Sequence, residues 1–181
     1  MKVLISDISD GKTGRAMIAR VKKMALATLT ALSLTGKELS LCLIDDDGIR
    51  ALNKRYRGKD KPTDVLSFCI ADEVLLGDVV ISIDRACAQA EEAGCGLDEE
   101  LARLVIHGVL HLVGFDHVRG GTQARKMKIK EAELIGLLRE SGLIGSYVDN
   151  LWNGVGKKLK SKGAAPVEIR KAVRDVRKGR R

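Results

Sequence analysis

Residues 104–113, LVIHGVLHLV, carry no formally charged side chain, yet they hold two of the chain's three histidines. A helix over this stretch is apolar around nearly its whole circumference, which only a place at the centre of a domain tolerates. Helix signals bracket it. Asp98 stands at a capping position, Glu99 and Glu100 complement the positive end of the dipole, and Gly114 suits the left-handed residue that stops the helix. The remaining elements must pack around this segment.

Their pattern supplies the material. KVLISDI at the amino terminus reads as a short strand, residues 13–34 as a helix rich in Ala, Leu, Met and Lys, and ELSLCLID as a half-buried strand by its alternation. A short helix is expected over about 47–56. The strands DVLSFCI and GDVVISI follow, separated by about eight residues, then a helix from about Asp84 to Ala93 ending at Gly94. A last helix spans about 122–140, opening at Thr122 and closing before Gly142. Strands grouped first and helices last favour an α+β fold: a small mixed β-sheet packed with helices, with the buried central helix carrying the histidines.

With 181 residues, 45% of them apolar and 31% charged, the chain suits one domain with an appendage. The charge is divided unevenly. From Val155 to Arg181, eleven Lys or Arg stand against Glu168 and Asp175, a balance of +9, so a total of +8 leaves residues 1–154 at −1. A domain over 1–145 and a basic extension over 146–181 are therefore expected. In the extension, Pro166 stands near a possible helix start, and Ile169, Val173 and Val176 follow at helical spacing; it is either a solvated end or a contact element for an RNA backbone. The basic flank and apolar run of RVKKMALATLTALSL, residues 20–34, resemble a signal peptide, but the polar start before it and the lack of a suitable cleavage site favour an amphipathic helix. No apolar run reaches membrane-spanning length. Cys42, Cys69, Cys87 and Cys95 form no C-x-x-C pair, and three lie in apolar runs, so buried thiols and a reducing, cytoplasmic setting are expected. Nothing in the pattern fixes an oligomeric state.

All three histidines, His107, His111 and His117, fall within HGVLHLVGFDH. Residues four apart lie on one helical face, so His107 and His111 can aim at one point. Gly114 allows a sharp return of the chain, and His117 follows three residues later. Three imidazole nitrogens at about 2.0–2.1 Å from an ion, with a fourth position open, describe a catalytic zinc site. Burying them unsatisfied among Leu and Val would be costly. One zinc ion is expected, although imidazole also suits nickel, copper and iron. Asp116 either orients an imidazole or caps a turn.

The H-x3-H-x2-G-x2-H spacing resembles that of the metzincin proteases, but those place a catalytic glutamate where this chain has Gly108. A second resemblance covers far more of the chain. HGVLHLVGFDH, together with LNKRYRGKDKPTDVLSF at 52–68 and LGDVVIS at 76–82, is similar to the bacterial YbeY family of single-strand-specific, metal-dependent endoribonucleases and ribosomal RNA maturation factors. The resemblance extends over roughly residues 38–140. It implies that His107, His111 and His117 are metal ligands and that Arg57 is functionally important, with Lys59, Asp64 and Ser67 in the same block as candidate substrate contacts. For both Asp64 and Ser67 a structural part is the first expectation, Asp64 after KPT in a turn and Ser67 on one side of a strand.

It also implies single-stranded or ribosomal RNA and the small ribosomal subunit as partners, with a role in maturing the three-prime end of small-subunit RNA and in ribosome quality control. A phosphodiester is already anionic and gathers more charge in its transition state, so Arg57, always charged and bidentate, suits it better than a second carboxylate would. Tyr56, Tyr147, Phe68, Phe115 and Trp152 are the only aromatic residues, too few for an extended stacking platform, so single-strand preference is expected from a narrow cleft. Two rivals remain. A peptidase would need Asp116, Asp78 or Asp64 as its base; a non-catalytic ribosome-assembly factor would use a structural zinc with four protein ligands.

Overall fold

The structure is a computed structural model that describes residues 1–9, 11–70, 72–115 and 121–145. Asp116, His117, Tyr147, Trp152 and the whole basic extension lie outside the described residues. Four strands, β1 (Lys2–Asp7), β2 (Glu38–Ile44), β3 (Val65–Cys69) and β4 (Leu75–Ser82), form one sheet in the order β1-β2-β4-β3. β1, β2 and β4 run parallel, and β3 pairs antiparallel with β4 through a register that sets Ser67 opposite Val79. The sheet is mixed, as expected. The helices are α1 (Arg15–Ala31), α2 (Asp46–Arg57), α3 (Ile83–Ala93), α4 (Leu97–Leu112) and α5 (Gly121–Glu140).

Alternation along the strands decides which face meets which helix. Leu39, Leu41, Leu43, Val79 and Ile81 point to one face and pack with Val21, Ala25 and Leu29 of α1 and Leu101, Leu104, Val105 and Val109 of α4. On α1 the buried positions 21, 24, 25, 28 and 29 repeat at the helical period, which makes one stripe of the helix apolar. The opposite face of the sheet, with Leu66 and Val80, receives Ile49 of α2 beside Ile44 and Phe68. A third cluster forms behind α4, where Ala102, Ile106 and Leu110 meet Met24 of α1 and Met127, Leu134 and Leu138 of α5. Helix α4 is thus covered by the sheet on one side and by α5 on another, and this double burial explains the uncharged run at 104–113.

Its amino end differs from expectation. Gly96 is the N-cap and no side chain caps it, while Asp98 lies in the first turn and pairs with Arg20 of α1 at 3.0 Å. The helix begins early because Leu97 already packs on the core. Gly114 adopts φ 90°, the left-handed turn expected of it. The thiols also depart from expectation. None is buried: Cys69 ends the edge strand and is exposed, Cys87 is exposed on α3, and Cys42 and Cys95 are half-buried. Among the described residues, no helix is long and apolar enough to cross a membrane.

The closest approach of α4 to the sheet occurs at Gly108. A Cβ there would meet Val79 Cγ1 at 2.6 Å and Cγ2 at 3.0 Å, with Ser67 Oγ at 3.3 Å. This position faces the sheet, so no glutamate fits where the metzincin pattern requires one. Gly108→Ala should therefore lose stability: overpacking costs about 1–3 kcal/mol, against a gain in helix propensity of about 1 kcal/mol. The denaturant midpoint should fall, and an unchanged or higher midpoint would show that the sheet yields at Val79.

Candidate active site

With two of its sides apolar, α4 has one stripe left for polar groups: Glu100, Arg103, His107 and His111. The last two line a cleft of about 670 Å3 together with Tyr56, Arg57, Thr63, Asp64 and all five residues of β3. Because β3 is the edge strand, the cleft runs along the side of it that faces no other strand. The end of α2 contributes from one face of the sheet and α4 from the other.

The chain brings Arg57 to this cleft by stopping α2 sharply. Asp45 caps the start of α2 by accepting from Gly48 N–H at 2.8 Å, and Gly58 closes its end in the left-handed conformation at φ 67°. Asn53, almost wholly buried, donates from its side chain to the Lys61 carbonyl at 2.7 Å and so folds the 58–64 connection back against the helix. Arg57 is left exposed at the mouth of the cleft.

One of the two imidazoles has its tautomer set by a carboxylate. The Glu131 carboxylate of α5 can only accept, so His107 Nδ1 carries the proton and donates to Oε1 at 2.7 Å. His107 Nε2 then presents its lone pair, and it lies 3.2 Å from His111 Nε2. Two nitrogens on one tetrahedral ion at about 2.0–2.1 Å would stand about 3.3 Å apart. The donor set, its spacing and the carboxylate behind His107 all fit a divalent cation such as zinc. Among the described residues, no third His, Cys, Asp or Glu completes a ligand cluster, and the expected third ligand, His117, lies outside them.

Matches to known proteins follow the same outline. The family model described as endoribonuclease YbeY matches residues 7–139. The chain belongs to the YbeY family. Proteins named endoribonuclease YbeY from Aquifex aeolicus and Geobacter metallireducens are 47% and 41% identical to it. The first covers 67% of this chain and 84% of its own length, the second 69% and 89%. The solution structure of TM1509 from Thermotoga maritima superposes with a TM-score of 0.53 at 28% identity, over 80% of this chain and 97% of that one. The family match contains every described residue of the cleft and stops short of the basic extension.

The residues singled out from the sequence are not all placed together. Arg57, Asp64, Ser67, His107 and His111 line the cleft; Lys59 is exposed on the loop beyond it and does not line it. Ser67 shares the α4-facing side of β3 with Val65, which brings its hydroxyl towards Gly108. Asp64 is locked from several directions. It accepts from Val65 N–H at 2.9 Å, from Thr63 at 3.1 Å and from Gln89 at 3.2 Å, with Arg103 at 3.8 Å. Arg103 in turn binds both oxygens of the buried Glu100 and reaches Gln89 at 3.3 Å. This network joins α3, α4 and the start of β3, and it gives Asp64 a scaffolding part. Sequence reasoning missed Glu131, Arg103 and Gln89. Only the spacing of Arg103, four residues before His107, hinted at a shared face.

Burial pushes the Asp64 carboxyl up, but hydrogen bonds from Gln89, Val65 N–H and Thr63 outweigh it and leave it below the ordinary carboxylate range. A carboxyl depressed in the folded state stabilises the fold above its unfolded value of about 3.9, and that contribution disappears as pH falls through the folded value. Asp64→Asn should therefore flatten the loss of stability below about pH 4 and lower stability at neutral pH. Urea melts of both proteins between pH 7 and pH 3 would check this, and parallel curves would contradict it.

Proposed function

We propose that the chain is a metal-dependent endoribonuclease that cuts single-stranded RNA and acts in ribosomal RNA processing. The small-subunit three-prime end and defective ribosomes are its targets in this reading, and the cytoplasm is its setting. The observation that carries the proposal is the convergence of His107 and His111 Nε2, 3.2 Å apart, in a cleft whose mouth holds Arg57. In this reading His107, His111 and His117 hold one zinc ion, a role nickel could also fill. When bound, such a cation supplies a concentrated positive charge that acidifies a water or the substrate's 2′-hydroxyl.

The protein's own groups do the rest. Glu131 keeps the His107 proton on Nδ1, which directs the Nε2 lone pair towards the point where His111 Nε2 also converges. Arg57 grips two non-bridging oxygens of the scissile phosphate and stabilises the charge that develops there. Ser67 offers a hydroxyl to the substrate from the floor of the cleft, and exposed Lys59 meets a flanking phosphate. Asp64 serves chiefly to tie the start of β3 to α3 and α4. Among the described residues a peptidase finds no base: Gly108 is packed on Val79, Asp78 does not line the cleft, and Asp64 is committed to its hydrogen-bond partners, while Asp116 lies outside them.

Labelled single-stranded RNA, incubated with metal-loaded protein, should be cut by the wild type and not by His111→Ala or a chelated sample. Arg57→Ala should lose about 10²–10³-fold in rate while its metal content, read by elemental analysis, stays unchanged. Cleavage that persists in the chelated sample and in His111→Ala would overturn the metal-dependent reading. Intact RNA with a tightly held, non-exchanging metal would favour a structural zinc in a ribosome-assembly factor. Independently, Glu131→Ala should weaken zinc binding about 10–100-fold in competition with a chromogenic chelator. Glu131→Gln should retain most of the affinity, because its amide oxygen accepts the same hydrogen bond.

A further inference from the structure

Tyr56 has no part in the chemistry described so far, yet it stands immediately before Arg57. Its side chain is 57% exposed, and among the large hydrophobic residues exposed on the described part of the chain it alone is aromatic and it alone lines the cleft. The ring is also held. Phe68, packed on the cluster of Ile44, Ile49, Leu66 and Val80, meets it edge-on with centroids 5.1 Å apart and an interplanar angle of 64°. The Arg55 guanidinium lies 5.3 Å from its centroid, within the range of a cation–π contact. An exposed ring that is braced from two directions is a prepared surface, because little rotamer freedom remains to be lost when a flat partner settles on it.

From this geometry we infer that Tyr56 is the stacking platform for one unpaired nucleobase of the RNA, the base adjoining the phosphate that Arg57 holds. The inference deepens the nuclease reading and rests on it for the identity of the ligand. Consecutive residues at the end of α2 present a π-face and a guanidinium within the reach of one nucleotide, which offers just those two groups, a base and a phosphate. Arg55 on the same turn adds positive charge for the backbone. Stacking also supplies a selection that charge cannot. In a duplex both faces of a base are covered by its neighbours, whereas an unpaired base is free to lie on the ring. Specificity for single strands then comes from this one residue as well as from the width of the cleft. Base identity matters little, since every base has a π-face.

Two measurements test the inference. In steady-state cleavage of a labelled single-stranded RNA, Tyr56→Ala should raise KM on the order of ten-fold with a much smaller change in kcat, while Tyr56→Phe and Tyr56→Trp keep the wild-type KM. In binding, a single-stranded RNA containing 2-aminopurine should have its fluorescence altered by the wild type, Phe and Trp proteins and not by the Ala variant. A duplex of the same sequence should show no such change. An unchanged KM and an unchanged fluorescence response in Tyr56→Ala would overturn the inference. So would a Phe variant as impaired as the Ala variant, since that assigns the effect to the hydroxyl. If the wild type cuts no RNA but the fluorescence response follows the ring, the nuclease reading fails and the stacking platform stands.

Discussion

The burial of α4 on two sides constrains the rest of the molecule. Beyond its first turn, a helix pressed between a sheet and a second helix has one stripe left for polar side chains, and here that stripe is Glu100, Arg103, His107 and His111. Its members are tied to one another and, through Arg103 and His107, to other elements. Glu100 is neutralised by Arg103, Arg103 reaches Gln89 of α3 and Asp64 before β3, and His107 binds Glu131 of α5. Such networks are costly when half made and rigid when complete. The core and the cleft are thus two faces of one helix, and a disturbance of either should be felt by the other.

Gly108 shows the coupling most directly. Its missing side chain lets α4 approach Val79, and this approach sets the distance between the helix and the edge strand that floors the cleft. The position that a zinc protease fills with a catalytic carboxylate is therefore spent on packing. Among the described residues, a wall with two facing imidazole nitrogens, an arginine at its mouth and a carboxylate, Asp64, already committed to hydrogen bonds is suited to a substrate that brings its own negative charge.

Much of this was legible in the sequence, for identifiable reasons. The double burial of α4 showed as an uncharged run, the shared face of His107 and His111 as a four-residue spacing, and the end of α4 as Gly114. These are local signals, and they survive because helix periodicity is local. What was not legible depends on distance along the chain. Glu131 meets His107 across 24 residues, from a helix that no local signal ties to α4. The Asp64 network joins three elements whose relative placement follows only from the strand order β1-β2-β4-β3. The thiols misled because an apolar run does not say which residue ends a strand: Cys69 closes the edge strand and is left in the open.

The same edge accounts for the character of the cleft. A strand in the middle of a sheet is closed on both sides, whereas β3 leaves one side open between two helices that lie on opposite faces. Phe68 links this floor to the rim: it packs against the cluster beneath α2, and its ring braces Tyr56. Tyr56 and Arg57 are adjacent at one end of α2, and Ile49 anchors that helix in the core beneath the sheet. The placement of both side chains at the cleft therefore depends on packing beneath the sheet.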